Sequence, residues 1–279
     1  MEHVWKVRVW GVRGSIPVPR GDFLEYGGNT ACISVDCGKR FVVFDAGSGL
    51  SALGGELSRS GRKRIHILLG HLHVDHCLGL FGFKPLHDPE AEIHIYGRGE
   101  NGARLQEQLE ALLGPPYWPL GLKDFPARIE IHDVEPESIF KLAGEEDNSD
   151  GLCVHTLAGK HPNGSLLYGL KSDGRSIIHA LDCEMDDEIF RKLREFSRNA
   201  DLLIWDANFT EEDLSHSRGW GHSCWKQGIA MRQAAGVKMA LMTHYSSEYG
   251  DEFVQEQERL AKLADASSCF AREGMEFEI

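Results

Sequence analysis

HLHVDH, from His71 to His76, follows the apolar run at residues 65–69 and precedes Gly79, a pattern that places it on a turn between a strand and a helix. Four ligand-type side chains crowd six positions. Imidazoles and carboxylates bind zinc and related divalent ions in catalytic sites, and a turn at a strand end lets alternate residues face one point. A lone histidine would be read as solvent-exposed or hydrogen-bonded. Three beside a carboxylate predict a metal site holding His71, His73, Asp75 and His76.

Around this string the apolar pattern predicts strands at 4–10, 32–36, 41–45, 65–69 and 92–96, and again at 128–132, 152–157, 166–170, 176–181, 202–205 and 238–243. Helical spacing predicts helices at 187–200, 223–235 and 251–264, with a shorter one at 103–113. Paired strands come first, then strands alternating with helices, so two sheets packed face to face with helices outside are expected, in one domain over 1–279. Two segments look irregular: 114–126, whose prolines resist regular structure and whose aromatics either border a pocket or pack a surface connection, and the acidic 144–151.

Seven cysteines form no CxxC pair, which argues against a disulfide framework or a cysteine-zinc ribbon. No stretch has the length of an apolar membrane span, and the opening MEHVWKVRVWG lacks a signal-like apolar core, so a cytoplasmic protein with no membrane contact is expected. The formal charge of −13 disfavours general affinity for polyanions such as nucleic acid.

The motifs, in order, resemble the metallo-β-lactamase superfamily. FDAG offers Asp45, HLHVDH follows, GKHPNGSLLYGL offers His161, IIHALD offers Asp182 and LMTHYSSEY offers His244. The resemblance implies an α/β fold, the αββα sandwich of two mixed sheets flanked by helices. It also implies two divalent ions, with zinc expected first and manganese or iron as alternatives. It assigns His71, His73 and His161 to one ion and Asp75, His76 and His244 to the other, with Asp182 bridging. His155, six positions before His161, competes with it but sits inside a predicted strand. Asp182 competes with a role as a helix cap. Asp45 is expected behind the ligands, accepting a proton from a ligand imidazole, with a plain loop aspartate as the alternative.

Two ions about 3.5 to 4 Å apart can generate a bridging hydroxide and clamp an in-line displacement, the pattern of phosphoester hydrolysis. VWGVRGSIPVP with YGGNTACISVD, and ADLLIWDANFTEED with GWGHSCW, resemble the branch holding the tRNA 3′-processing endonuclease (tRNase Z) and the cyclic phosphodiesterases. The resemblance places His222 where that branch has a histidine able to protonate a leaving alkoxide or donate to a phosphoryl oxygen, so Asp75 and His222 are the candidate catalytic residues. Helix capping is the plainer role for His222. Trp205 stands where the endonuclease has its acid-pairing histidine, while Asp206 keeps the carboxylate. The short segment between His161 and Asp182 leaves no room for the endonuclease's long tRNA-gripping arm. The expectation is therefore a compact phosphodiesterase acting on a small diester such as a cyclic nucleotide or cyclic sugar phosphate, with a tRNase Z-like endoribonuclease, a lactonase or another acyl hydrolase as alternatives. Arg13, on the GVRGS turn, is a candidate for meeting an anionic group, against a plain surface arginine. The branch also implies a homodimer.

Overall fold

The computed structural model describes residues 4–144, 151–172 and 174–279, so most of the acidic segment at 144–151 lies outside the described residues. The first half contains β1 (Lys6–Gly11), β2 (Cys32–Asp36), β3 (Phe41–Phe44), α1 (Leu50–Ser60), β4 (Arg64–Leu68), α2 (Val74–Cys77), β5 (Glu92–Gly97), α3 (Leu105–Leu112) and β6 (Arg128–Asp133). Then come β7 (Ile139–Phe140), β8 (Cys153–Gly159), β9 (Ser165–Ser172), β10 (Arg175–Ala180), α4 (Asp187–Phe196), β11 (Leu202–Asp206), α5 (Glu211–Leu214) and α6 (Trp225–Ala235). β12 (Met239–Thr243), α7 (Asp251–Ala264), β13 (Ser268–Phe270) and β14 (Glu276–Glu278) close the chain.

Among the described residues the strands form two seven-stranded sheets, ordered β14-β1-β2-β3-β4-β5-β6 and β13-β12-β11-β10-β9-β8-β7. Each is mixed. Hairpin-linked strands pair antiparallel, whereas β3 to β6 and β10 to β13 pair parallel because helices or long turns carry the chain back between them. This is the expected α/β sandwich. Val7, Val9, Ile33, Val35, Val42, Phe44 and Leu68 of the first sheet join Leu167, Leu170, Ile177 and Leu203 of the second in one core. A second core lies on the outer face of the first sheet, where Leu50, Leu53 and Leu57 of α1 and Leu105 and Leu109 of α3 cover Ile65, Ile67, Ile93 and Ile95. Alternate residues of β4 and β5 thus serve different cores, as a pleated strand buried on both faces requires.

Parallel pairing points the ends of β3, β4, β10, β11 and β12 toward one rim of the sandwich, and ligands in open α/β sheets gather at such carboxyl ends. Two contacts lock the sheets together there. Leu166 N donates to Gly70 O at 2.7 Å, and the buried Tyr168 hydroxyl of β9 donates to Leu69 O at 2.8 Å.

The helices expected from periodicity are present, the one at 251–264 with the expected bounds and the other three with shortened ends, and α1 joins them unforeseen. The irregular segment at 114–126 carries no strand; Trp118 packs edge-on against Phe81, while Tyr117 is exposed. Among the described residues all cysteines are free, and no helix is long and apolar enough to cross a membrane.

Candidate metal centre

The turns beyond the rim strands hold their side chains in unusual backbone conformations. Asp45, Asp182 and His244, which follow β3, β10 and β12, have φ of 61°, 53° and 63°, in the left-handed region. For residues other than glycine this costs on the order of 1–3 kcal/mol each, and it persists where surrounding contacts fix it. Here the contacts bring the Asp182 and His244 side chains together and set Asp45 behind His76.

His76 Nδ1 faces Asp45 Oδ2 at 3.0 Å, and Asp45 Oδ1 accepts from Gly70 N at 2.8 Å. The carboxylate thus stands against the Nδ1 edge of the ring, which leaves Nε2 facing the cluster. His76 Nε2 and His244 Nε2 each lie 3.1–3.4 Å from Asp75 Oδ2 and Asp182 Oδ2. Four donors at tetrahedral corners, each about 2.0–2.1 Å from one zinc-class ion, stand roughly 3.3–3.4 Å apart. Ser15 N also donates to Asp75 Oδ2, at 2.7 Å.

A second group lies beside the first. His161 Nδ1 donates to Gly221 O at 3.0 Å, which leaves Nε2 facing His73 Nδ1 at 3.2 Å. His71 completes a trio with these two. Asp182 Oδ1 lies 3.8 Å from His161 Nε2 while its Oδ2 serves the other group, so one carboxylate reaches both.

The donor set fits two divalent cations. His71 Nδ1 and Nε2, His76 Nε2, His244 Nε2 and Asp182 Oδ2 are buried with no hydrogen-bond partner, a costly arrangement unless cations complete it. Burial pushes the His71 and His161 imidazoles down, toward the neutral, ligating form. Burial opposes charge on His244 too, but Asp182, Asp206 and Asp75 push it up to about 10. The same carboxylate field, with Asp45, raises His76 against its burial. Such a field calls for positive charge at the centre of the cluster.

His222 stands at the edge of this cluster. Its Nδ1 lies 2.9 Å from Asp206 Oδ2, and the ring is slightly exposed. Burial resists its protonation, yet Asp206 raises it overall. Asp206, at the end of β11, is itself fixed by the amides of Asn208 at 2.9 Å and Asp182 at 3.1 Å. A cavity of about 310 Å³ opens beside His222 between Glu184, Met185, Glu211 and Arg218.

The structure thus gathers His71, His73, Asp75, His76, His161, Asp182 and His244, with Asp45, Asp206 and His222 around them. Arg13 corrects an expectation. Its side chain is fully buried and does not face the cluster: Nε donates to Gly27 O at 2.7 Å, Nη1 donates to Tyr249 O at 2.6 Å, and Phe23 and Tyr245 flank the guanidinium. The arginine packs the GVRGS turn, and it is the Ser15 backbone amide that meets the cluster. His155 stays within β8 beside Cys153 and takes no part.

Three contributors escaped the sequence. His179, on β10, lies 3.3 Å from Asp45 Oδ2 and stacks on Phe44 at 4.8 Å, and burial pushes it down to about 4. A histidine in an apolar strand reads as filler until pairing is known. Asn208 Nδ2 donates to His244 O at 3.0 Å. Gly221, with φ of 85°, lies so close to His161 that a Cβ there would stand 2.1 Å from Nδ1.

A family model described as a beta-lactamase superfamily domain matches residues 40–245, a span that holds all seven of these donor residues. The chain belongs to the metallo-β-lactamase superfamily. Among curated relatives, ribonuclease Z of Archaeoglobus fulgidus is 24% identical over 330 aligned positions, covering 99% of this chain and 98% of the relative. Two solved structures share the fold. The metallo-beta-lactamase fold protein YhfI from Bacillus subtilis superposes with a TM-score of 0.74 at 20% identity, covering 99% of this chain and all of that one. Human tRNase Z, short form, gives 0.70 at 20% identity, with 98% of each chain covered. Superfamily membership and these relatives identify a metal-dependent hydrolase.

Proposed function

We propose that this chain is a dinuclear phosphodiester hydrolase of the ribonuclease Z kind, with RNA as its substrate. The observation that carries the proposal is His222, held by Asp206 at 2.9 Å at the exposed edge of the paired donor groups. Acyl hydrolysis at such a centre needs no second imidazole of this sort, whereas a phosphodiester releases an alkoxide that must be protonated. The whole-length likeness to ribonuclease Z supports RNA over a small diester.

His71, His73 and His161 would hold one ion and Asp75, His76 and His244 the other, with Asp182 between them and zinc the first candidate. When bound, such ions supply Lewis acidity toward phosphoryl oxygens and acidify a water to a nucleophile at neutral pH. The chain's own residues do the rest. Asp45 and Gly221 fix the rings of His76 and His161, the Ser15 amide holds Asp75 in place, and Asp206 keeps the proton of His222 on Nδ1, leaving Nε2 toward the leaving group.

One observation favours a second substrate, a small cyclic diester: β9 and β10 pair closely between His161 and Asp182, and among the described residues there is no protruding arm there to grip tRNA. A single comparison separates these. Metal-loaded protein is assayed on precursor tRNA with a 3′ trailer, on cyclic nucleotides and on bis(p-nitrophenyl) phosphate, alongside His222→Ala. Cleavage of the precursor that falls about 10²–10⁴-fold in the variant supports the proposal. Turnover confined to cyclic nucleotides transfers it to the small diester. A fully loaded protein inert toward every diester overturns both.

A further inference from the structure

A second concentration of imidazoles lies away from this centre, on β4, β5 and the edge strand β6. Parallel register sets His66 beside His94 and His94 beside Glu130, with Tyr96 beside His132 two residues on. The rings stack: His66 on His94 at 5.0 Å, and His132 on Tyr96 at 4.5 Å. Stacking fixes the planes, so the nitrogens point in set directions.

We propose that His94, Glu130 and His132 form a third cation site, suited to zinc, that clamps the edge strand β6 to β5. His94 Nδ1 lies 3.1 Å from His132 Nε2 and 3.4 Å from Glu130 Oε2, and the last two atoms are 4.0 Å apart. Three ligands around one zinc ion at bond lengths of about 2.0–2.1 Å are spaced by roughly 3.4 Å, so the trio needs only small adjustments to close on an ion. The partner on the far side of His94 is of the right type. Its Nε2 donates to Glu92 Oε1 at 3.2 Å, which leaves the Nδ1 lone pair facing His132 and Glu130, as a carboxylate does for a ligating histidine. Arg128 occupies the other oxygen of Glu130, so Oε2 alone faces the imidazoles. Burial lowers His132, which keeps its ring in the neutral form that binds metal. The side chains of His132 and Glu130 are 30% and 34% exposed, giving an ion a way in and a water access to the fourth position.

The site is independent of the hydrolytic assignment, and its test counts ions by difference. Full-length protein, stripped with a chelator, is equilibrated with zinc alone, and bound zinc is measured for the wild type, His132→Ala and Glu130→Gln. Each variant is expected to hold one ion fewer than the wild type, to lose the zinc-dependent rise in melting temperature that this ion supplies, and to keep diester turnover within about threefold. Glu130→Gln preserves shape at a half-buried position, so it answers the question if His132→Ala folds poorly. Equal zinc content in the wild type and a folded variant overturns the proposal, leaving His94 and His132 as a hydrogen-bonded pair.

Discussion

His161 illustrates how little freedom a ligand residue has here. Its Nδ1 is committed to the Gly221 carbonyl, and the same glycine, lacking a Cβ, leaves room for the ring. Gly221→Ala would add a methyl group 2.1 Å from that nitrogen at a φ of 85°, where side chains are strained in any case. The expected outcome is a loss of about 10–100-fold in metal affinity or activity, the usual effect of disturbing a ligand's support, with a folded circular-dichroism spectrum. Zinc titration of the variant checks it. At this scale the sequence was informative about the ligands and, through Asp45 and Asp206, about part of their support. The ligands sit in dense polar strings that stand out from apolar strands, whereas Asn208, His179 and Gly221 act through pairing and close approach, which no local pattern reveals. The guanidinium of Arg13 shows the converse, since a cation on a glycine-rich turn gives no hint that aromatic rings and carbonyls will enclose it.

Helix α7 carries a polar clamp rather than a ligand. Buried Glu258 accepts from the Tyr26 hydroxyl at 2.7 Å and from Arg272 Nη2 at 2.7 Å, and pairs with Lys262 at 2.6 Å, so α7 is tied to the turn before β2 and to the segment after β13. Burial alone would raise the Glu258 carboxyl, but Arg272, Lys262 and Tyr26 together bring it down to about 2. A carboxyl near 4.3 in the unfolded chain and lower in the fold stabilises fully above the unfolded value and loses that effect as pH falls through the folded one. Glu258→Gln should therefore cost on the order of 2–3 kcal/mol near neutral pH, with the gap to wild type narrowing below about pH 4. Paired thermal melts at the two pH values measure this, and a gap independent of pH would show that the clamp acts through packing alone. The end of α7 was legible from its periodicity, but α1 was not. Gly54 and Gly55 depress helix propensity in its middle, and Gly54 is there because a Cβ would meet the Phe83 ring at 2.8 Å. Tertiary contact selected against the local signal.

The molecule as a whole concentrates acidic groups at one rim, with Asp45, Asp75, Asp182 and Asp206 all buried there. Cations that bind only the folded chain stabilise it in proportion to the logarithm of their concentration over their dissociation constant. Chelation is expected to lower the melting temperature by several degrees or more, and zinc to restore it, as differential scanning fluorimetry would read; an unchanged melt would mean the rim tolerates its carboxylates without metal. The two-sheet sandwich was visible from strand order and spacing, because long apolar strands signal themselves. The short strands β7, β13 and β14 were not, since two or three residues carry no period.

The rim also divides by origin. Asp45 and His71 to His76 come from the first sheet, while His161, Asp182, Asp206, His222 and His244 come from the second. Neither half of the chain encloses the complete donor set of the rim, so ion capture at the rim must wait until the sheets have docked through Leu166, Gly70 and Tyr168. Uptake of a coloured cation such as cobalt during refolding of His132→Ala, in which the β5–β6 trio is broken, would then serve as a clock for the last assembly step, ticking only when both halves of the polypeptide have found each other.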